Sequence, residues 1–149
     1  MPKFYVLATL LFGATQIPAL AQDANRAVVI APTDVGSVID RVAKRSGDFK
    51  EEFDREIGRT ADGKHMEERA KHRADEQHDA AKRLRDVFGD KKDKNAPQVR
   101  EQVDKVLAAA SEVNRVMNDH RFTDKLQQDW TLLKGDLDAL AAVYGLSPI

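Results

Sequence analysis

Apolar residues recur at three- and four-residue steps through most of this chain, in four blocks separated by short polar links. That period belongs to amphipathic helices, since the apolar positions of strands alternate. The first block runs Val35, Ile39, Val42, Ser46, Phe49, Phe53, Ile57, with Thr33 or Asp34 as N-cap and Gly58, Asp62 and Gly63 marking the exit. Ser46 is polar and Gly47 follows it, which leaves room there for a kink or local break. The second helix is predicted over 64–89, with Gly89 ending it. Its seam of Met66, Ala70, Ala74, Gln77, Ala81, Leu84 and Phe88 is regular but thin. Most of its other positions are charged, and i,i+4 pairs support the helix more than its buried area does.

The third block is Val99, Val103, Val106, Ala110, Val113, Met117, His120. Asn95 and Gln98 approximate a capping box before it, with Pro97 tolerated in the first turn. Thr123 can cap the fourth helix, whose seam is Leu126, Trp130, Leu133, Leu137, Leu140, Tyr144. Gly145 then stands at C′, Leu146 is the apolar C″ residue and Pro148 blocks continuation. Two neighbouring seams in 4-3 alternation joined by a short link imply an antiparallel helical hairpin. Four such segments imply an all-α, antiparallel, up-down-up-down four-helix bundle over 33–149.

Composition fits that architecture. Charged residues make up 33% of the chain and aromatics 6%, the proportions of a narrow apolar seam under a salt-bridged exterior. Cysteine is absent, so disulfide staples, thiolate ligands and a lipid-bearing N-terminal cysteine are excluded.

The N-terminus reads as an export address. Lys3 supplies a positive n-region, Phe4 to Phe12 make a short apolar run, and Ala19-Leu20-Ala21 offers small residues at the cleavage subsites. The run is too short to cross a bilayer, which takes about 20 residues. A signal peptide is therefore expected at 1–21, an irregular lead-in at 22–32, and a mature N-terminus near Gln22. The expected location is periplasmic or extracellular, without stable membrane insertion after cleavage. Removing the leader takes away Lys3, leaving 23 basic against 25 acidic side chains. A slightly acidic balance argues against a nucleic-acid partner.

Candidate chemistry is concentrated in the second helix, where His65, His72 and His78 lie among carboxylates. Glu68, His72, Asp75 and Glu76 fall on the face opposite the alanine seam, and imidazole plus carboxylate at this spacing can hold a borderline divalent ion. Lys71, Arg73, Lys82 and Arg83 would repel a cation nearby, which favours the reading of a solvated, self-paired face. The four residues stand as a candidate surface metal site and no cofactor is expected. Asp75-x-x-His78 lacks the second motif and inward carboxylates that a di-iron bundle needs. Met117 and His120 are residue types that ligate haem, with Met66 as a conceivable opposite ligand, but as i,i+3 neighbours they cannot both be axial. Core packing for Met117 and helix termination for His120 are the default. Trp130, Tyr144, Phe49, Phe53 and Phe88 fall on seams and read as core. No nucleophile elbow, phosphate loop or zinc-protease motif occurs, so an enzyme is not expected.

The stretch Trp130-x-x-Leu133-x-x-Asp136-Leu137-Asp138-x-Leu140-Ala141-x-x-Tyr144 resembles the end of small exported helical bacterial proteins of unassigned function. Phe49-Lys50-Glu51-Glu52-Phe53-Asp54-Arg55 is similar to their first helix. The resemblance implies a helical fold and an exported address and no activity. Together these readings point to a non-catalytic interaction or envelope-homeostasis module with an unknown protein partner. A periplasmic metal- or haem-binding bundle is the alternative.

Overall fold

A computed structural model describes residues 35–57 and 64–149, without the side chains of 64–67. The expected signal peptide, its cleavage point, the lead-in, the first helix's N-cap and the side chains of His65 and Met66 lie outside the described residues.

Four helices follow one another: α1 (Val35–Ile57), α2 (Lys64–Lys91), α3 (Pro97–Asp119) and α4 (Asp124–Val143). Each packs against the next and α4 closes back onto α1, giving the antiparallel four-helix bundle. No helix among the described residues is long and apolar enough to cross a membrane.

α1 is continuous, and Ser46–Gly47 makes no break. The Ser46 hydroxyl donates to the Val42 carbonyl at 2.6 Å and accepts from Gln77 Nε2 of α2 at 2.9 Å. The two polar residues that interrupt their seams thus pair with one another across the interface. Val38, Ala43 and Leu107 are also buried, although none lies on an expected seam. A helix in a four-cornered bundle meets two neighbours, so it buries a wider face than a single coiled-coil seam.

Two helix ends differ from expectation. α2 runs past Gly89 to Lys91 and closes on Lys92, whose φ of 51° is left-handed and whose N–H donates to the Phe88 carbonyl at 2.7 Å. A helix can thus end on a lysine where glycine would be less strained. The expected capping box before α3 does not form. The N-cap is Ala96, without a side-chain hydrogen bond, and Pro97 occupies the first turn. Asp93 explains the shift, because its carboxylate accepts the Asn95 N–H at 2.9 Å and its carbonyl accepts the Ala96 N–H at 3.1 Å. That turn holds Asn95 outside the helix.

The ends of α4 follow the expected pattern. Thr123 caps the start, accepting from the Leu126 N–H at 3.4 Å. At the other end Gly145 has φ +66°. Leu146 N–H reaches the Ala141 carbonyl at 2.9 Å and Gly145 N–H that of Ala142 at 3.2 Å, which is a Schellman closure.

The core is aromatic at the end where α1 finishes and α4 begins. Phe49 lies 5.4 Å from Phe53 and 5.3 Å from Trp130, and Phe53 lies 5.5 Å from Phe122. Phe122 closes this stack from the α3–α4 link. Trp130 Nε1–H donates to Asn114 Oδ1 of α3 at 3.1 Å, so the buried indole keeps its donor paired.

Candidate functional site

α2 is the helix in which candidate chemistry was expected, and its two edges differ. The edge toward α1 is a polar seam. Gln77 is fully buried, and while its Nε2 reaches Ser46, its Oε1 has no hydrogen-bond partner. His78 lies over Gly47, where an added Cβ would stand 3.3 Å from the imidazole Cε1, and its Nδ1 is likewise buried without a partner. Gly36 plays the same part for Phe88, with 3.1 Å between an added Cβ and the ring. The absence of side chains at these two α1 positions is what lets the α2 rings seat.

One turn along, Lys50 of α1 sits between two carboxylates, 2.8 Å from Asp75 and 3.0 Å from Asp54. Lys71 lies 3.8 Å from the other Asp54 oxygen. Asp75, and then Asp54, raise the Lys50 ammonium well above its ordinary pKa by stabilising its charged form. The sequence placed Asp75 on the exposed face of α2. It is instead half-buried, because the thin seam lets α1 come close enough for Lys50 to reach it.

The edge toward α3 is a surface groove of about 510 Å³. Ala80, Ala108 and Ala109 line it together with the charged side chains of Arg73, Glu76, Asp79, Arg83, Lys105 and Glu112.

The four expected metal-site residues do not gather around one point. His72 Nε2 lies 3.2 Å from Glu76 Oε1, and Glu76 also accepts from Arg73 at 2.8 Å. Asp75 turns to Lys50, and Glu68 is exposed. No group of three His, Asp or Glu side chains among the described residues has the geometry to hold a metal. Met117 is packed in the core, while His120 ends α3 with its ring edge-on to Phe122, centroids 6.2 Å apart. The two side chains therefore serve separate surroundings.

Two buried carboxylates escaped the sequence reading. Glu56, near the end of α1, accepts the N–H and the hydroxyl of Thr123, tying that end to the start of α4. Asp136, 8% exposed, pairs with Arg41 at 3.2 Å and Arg45 at 2.7 Å, and Arg45 also donates to the Leu132 carbonyl. Their signal was faint, since each lies at the margin of an apolar seam where a charged residue ordinarily faces water.

Comparison with protein-family models, with curated proteins and with solved structures returned no match.

Proposed function

We propose that the protein is an exported, non-catalytic helical-bundle module that works by binding another protein, with α2 as its working element. The observation that supports this reading is the polar seam between α1 and α2. Gln77 Oε1 and His78 Nδ1 are buried without partners, and the Asp54 and Asp75 Oδ1 atoms have ionic contacts but no hydrogen bond. A buried polar atom left unpaired costs about 1–3 kcal/mol, so this seam is weaker than its close fit implies. Lifting α2 away from α1 frees those groups and withdraws Ala74, Ala81 and Leu84 from the shared core, leaving an apolar face that an amphipathic partner segment can cover. Export rests on the leader-like residues 1–21, and a near-neutral charge balance favours a polypeptide over nucleic acid.

Amide exchange and crosslinking test this reading together. Exchange should be faster across 68–83 than across 99–117 or 126–143. The double substitution Ser46→Ala, Gln77→Leu replaces the polar pair with an apolar one and should slow exchange in α2 selectively. A photo-crosslinker at Asp79, used in the source cells, should give a discrete protein adduct that the double variant loses. Equal protection of all four helices, or an adduct indifferent to the double substitution, would remove α2 as the working element.

A further inference from the structure

Opposite charges meet where α1 faces its neighbours: Lys50 lies against Asp75 of α2, and Arg41 and Arg45 lie against Asp136 of α4. Across the groove between α2 and α3 like charges meet instead. Glu76, Ala80 and Arg83 share one stripe of α2, and Lys105, Ala109 and Glu112 share one stripe of α3, each at steps of four and three, and all six line the groove. Contacts elsewhere in the bundle set the levels of the two stripes. Asp75 meets Lys50, whose neighbour Phe49 packs on Trp130, which donates to Asn114, so Asp75 and Asn114 share a level. The short link from Lys91 to Pro97 gives the same antiparallel register. Glu76 therefore stands level with Glu112, Ala80 with Ala109, and Arg83 with Lys105. One end of the groove is doubly acidic, and the other, about 10 Å away along the helices, is doubly basic. Glu76, Glu112 and Lys105 form ion pairs along their own helices, and Arg83 forms none among the described residues. Nothing in the chain itself offsets the repulsion at either end.

We propose that this edge is the interface of a two-fold homodimer, in which the acidic end of each groove lies on the basic end of the other. The occupant is a second copy because a surface with opposite charges at its two ends complements itself when reversed. The axis lies in the plane of the interface, perpendicular to both helices, at the level of Ala80 and Ala109. It sets α2 antiparallel on α2 of the other copy, and α3 on α3. Glu76 then comes within one residue's rise, about 1.5 Å, of the level of Arg83 of the other copy, and Lys105 comes as close to that of Glu112. The residues level with the axis are alanines, whose small side chains let the copies approach. Asp79 comes near its own counterpart but equally near Arg83 of the other copy, which offsets that repulsion. An interface of alanines and part-exposed charges lies at the small end of specific contacts, so the dimer is weak, concentration-dependent and sensitive to salt. This inference is independent of the role proposed for the α1–α2 seam, which lies on the other edge of α2.

Sedimentation velocity on the purified protein, from micromolar to millimolar concentration, tests it. The wild type should pass from monomer mass to twice that mass, and added salt should move the transition to higher concentration. Arg83→Glu makes both ends of the α2 stripe acidic, and Glu76→Arg makes both basic. Each variant alone should stay monomeric over the whole range, with the far-ultraviolet spectrum of the wild type. An equimolar mixture of the two should dimerise again, because the acidic stripe of one variant then lies on the basic stripe of the other. A wild type that is monomeric throughout overturns the proposal, including the case where a different protein covers this face. Single variants that dimerise like the wild type overturn it too, since pairing then runs through another surface. A mixture that stays monomeric, or a dimer indifferent to salt, removes the charge match on which the two-fold rests. Should either α2 variant fail to fold, Lys105→Glu, Glu112→Lys and their mixture decide the matter from α3.

Discussion

Helix α4 fills the core with Leu126, Trp130, Leu133, Leu137 and Leu140, whereas α2 offers Ala74, Gln77, Ala80, Ala81 and the single buried leucine Leu84. The difference is one of spacing as much as of area. Small side chains let backbones approach, and α2 packs closely on both α1 and α3, while α3 and α4, separated by larger groups, approach least of the neighbouring helices. A thin seam is therefore not a loose one. Its weakness lies elsewhere, in the polar groups that close approach traps between α1 and α2. Stability in α4 comes from apolar area removed from water, at about 25 cal/mol per Å². In α2 it comes from tight fit around small residues, where added volume harms as much as lost volume.

The largest effect expected from this contrast is at Trp130. Trp130→Ala removes the indole from between Phe49 and Asn114 and should cost about 3–5 kcal/mol in denaturant melts, a large share of a domain's usual 5–15. A loss below about 1 kcal/mol would mean that α4 does not anchor the core as described.

Glu56→Ala should come next, at about 2–3 kcal/mol, because it strips the acceptors from the Thr123 N–H and hydroxyl at the α1–α4 junction. Glu56→Gln keeps one acceptor oxygen and should recover part of that loss. If the two variants melt alike, the carboxylate contributes through its charge and not through paired hydrogen bonds.

Ala74→Leu sharpens the comparison from the other side. A loosely held α2 would gain from extra apolar volume. A closely packed one should lose about 1–3 kcal/mol by overpacking, since Ala74 is fully buried between near neighbours. Destabilisation is the expected result, and a raised melting temperature would restore the picture of an under-filled seam.

The smallest effect is in the pH profile. Lys50 is raised by Asp75 and Asp54, and Tyr144 is raised chiefly by burial. A lysine with a raised folded pKa contributes stability that is complete below its unfolded value, about 10.4, and is lost as pH climbs through the folded one. A buried tyrosine with a raised pKa acts in the same direction, because above about pH 10 the unfolded chain ionises first. Melting temperature should be insensitive to these two groups at neutral pH and fall at alkaline pH. Tyr144→Phe should blunt that fall, and an unchanged alkaline slope in Tyr144→Phe would assign it to other groups.

The amino-acid sequence by itself determined the four helices, their order, the Thr123 cap, the Gly145–Leu146 closure and most of the core. These are local matters: periodicity, a capping side chain and one glycine at positive φ act within a few residues of where they are read. Only the tertiary structure decided the rest. Ser46 and Gln77 look like defects in separate seams until α1 and α2 dock and pair them. Asp75 looked exposed because a helical wheel knows nothing of Lys50 on another helix. Glu56 and Asp136 became buried once Thr123, Arg41 and Arg45 converged on them from elements far away in the chain. The same convergence was missing for Glu68, His72, Asp75 and Glu76, whose spacing allowed a metal site that their neighbours drew apart. Spacing along one helix fixes which side chains can meet, but the competing partners that take them are supplied by the other helices.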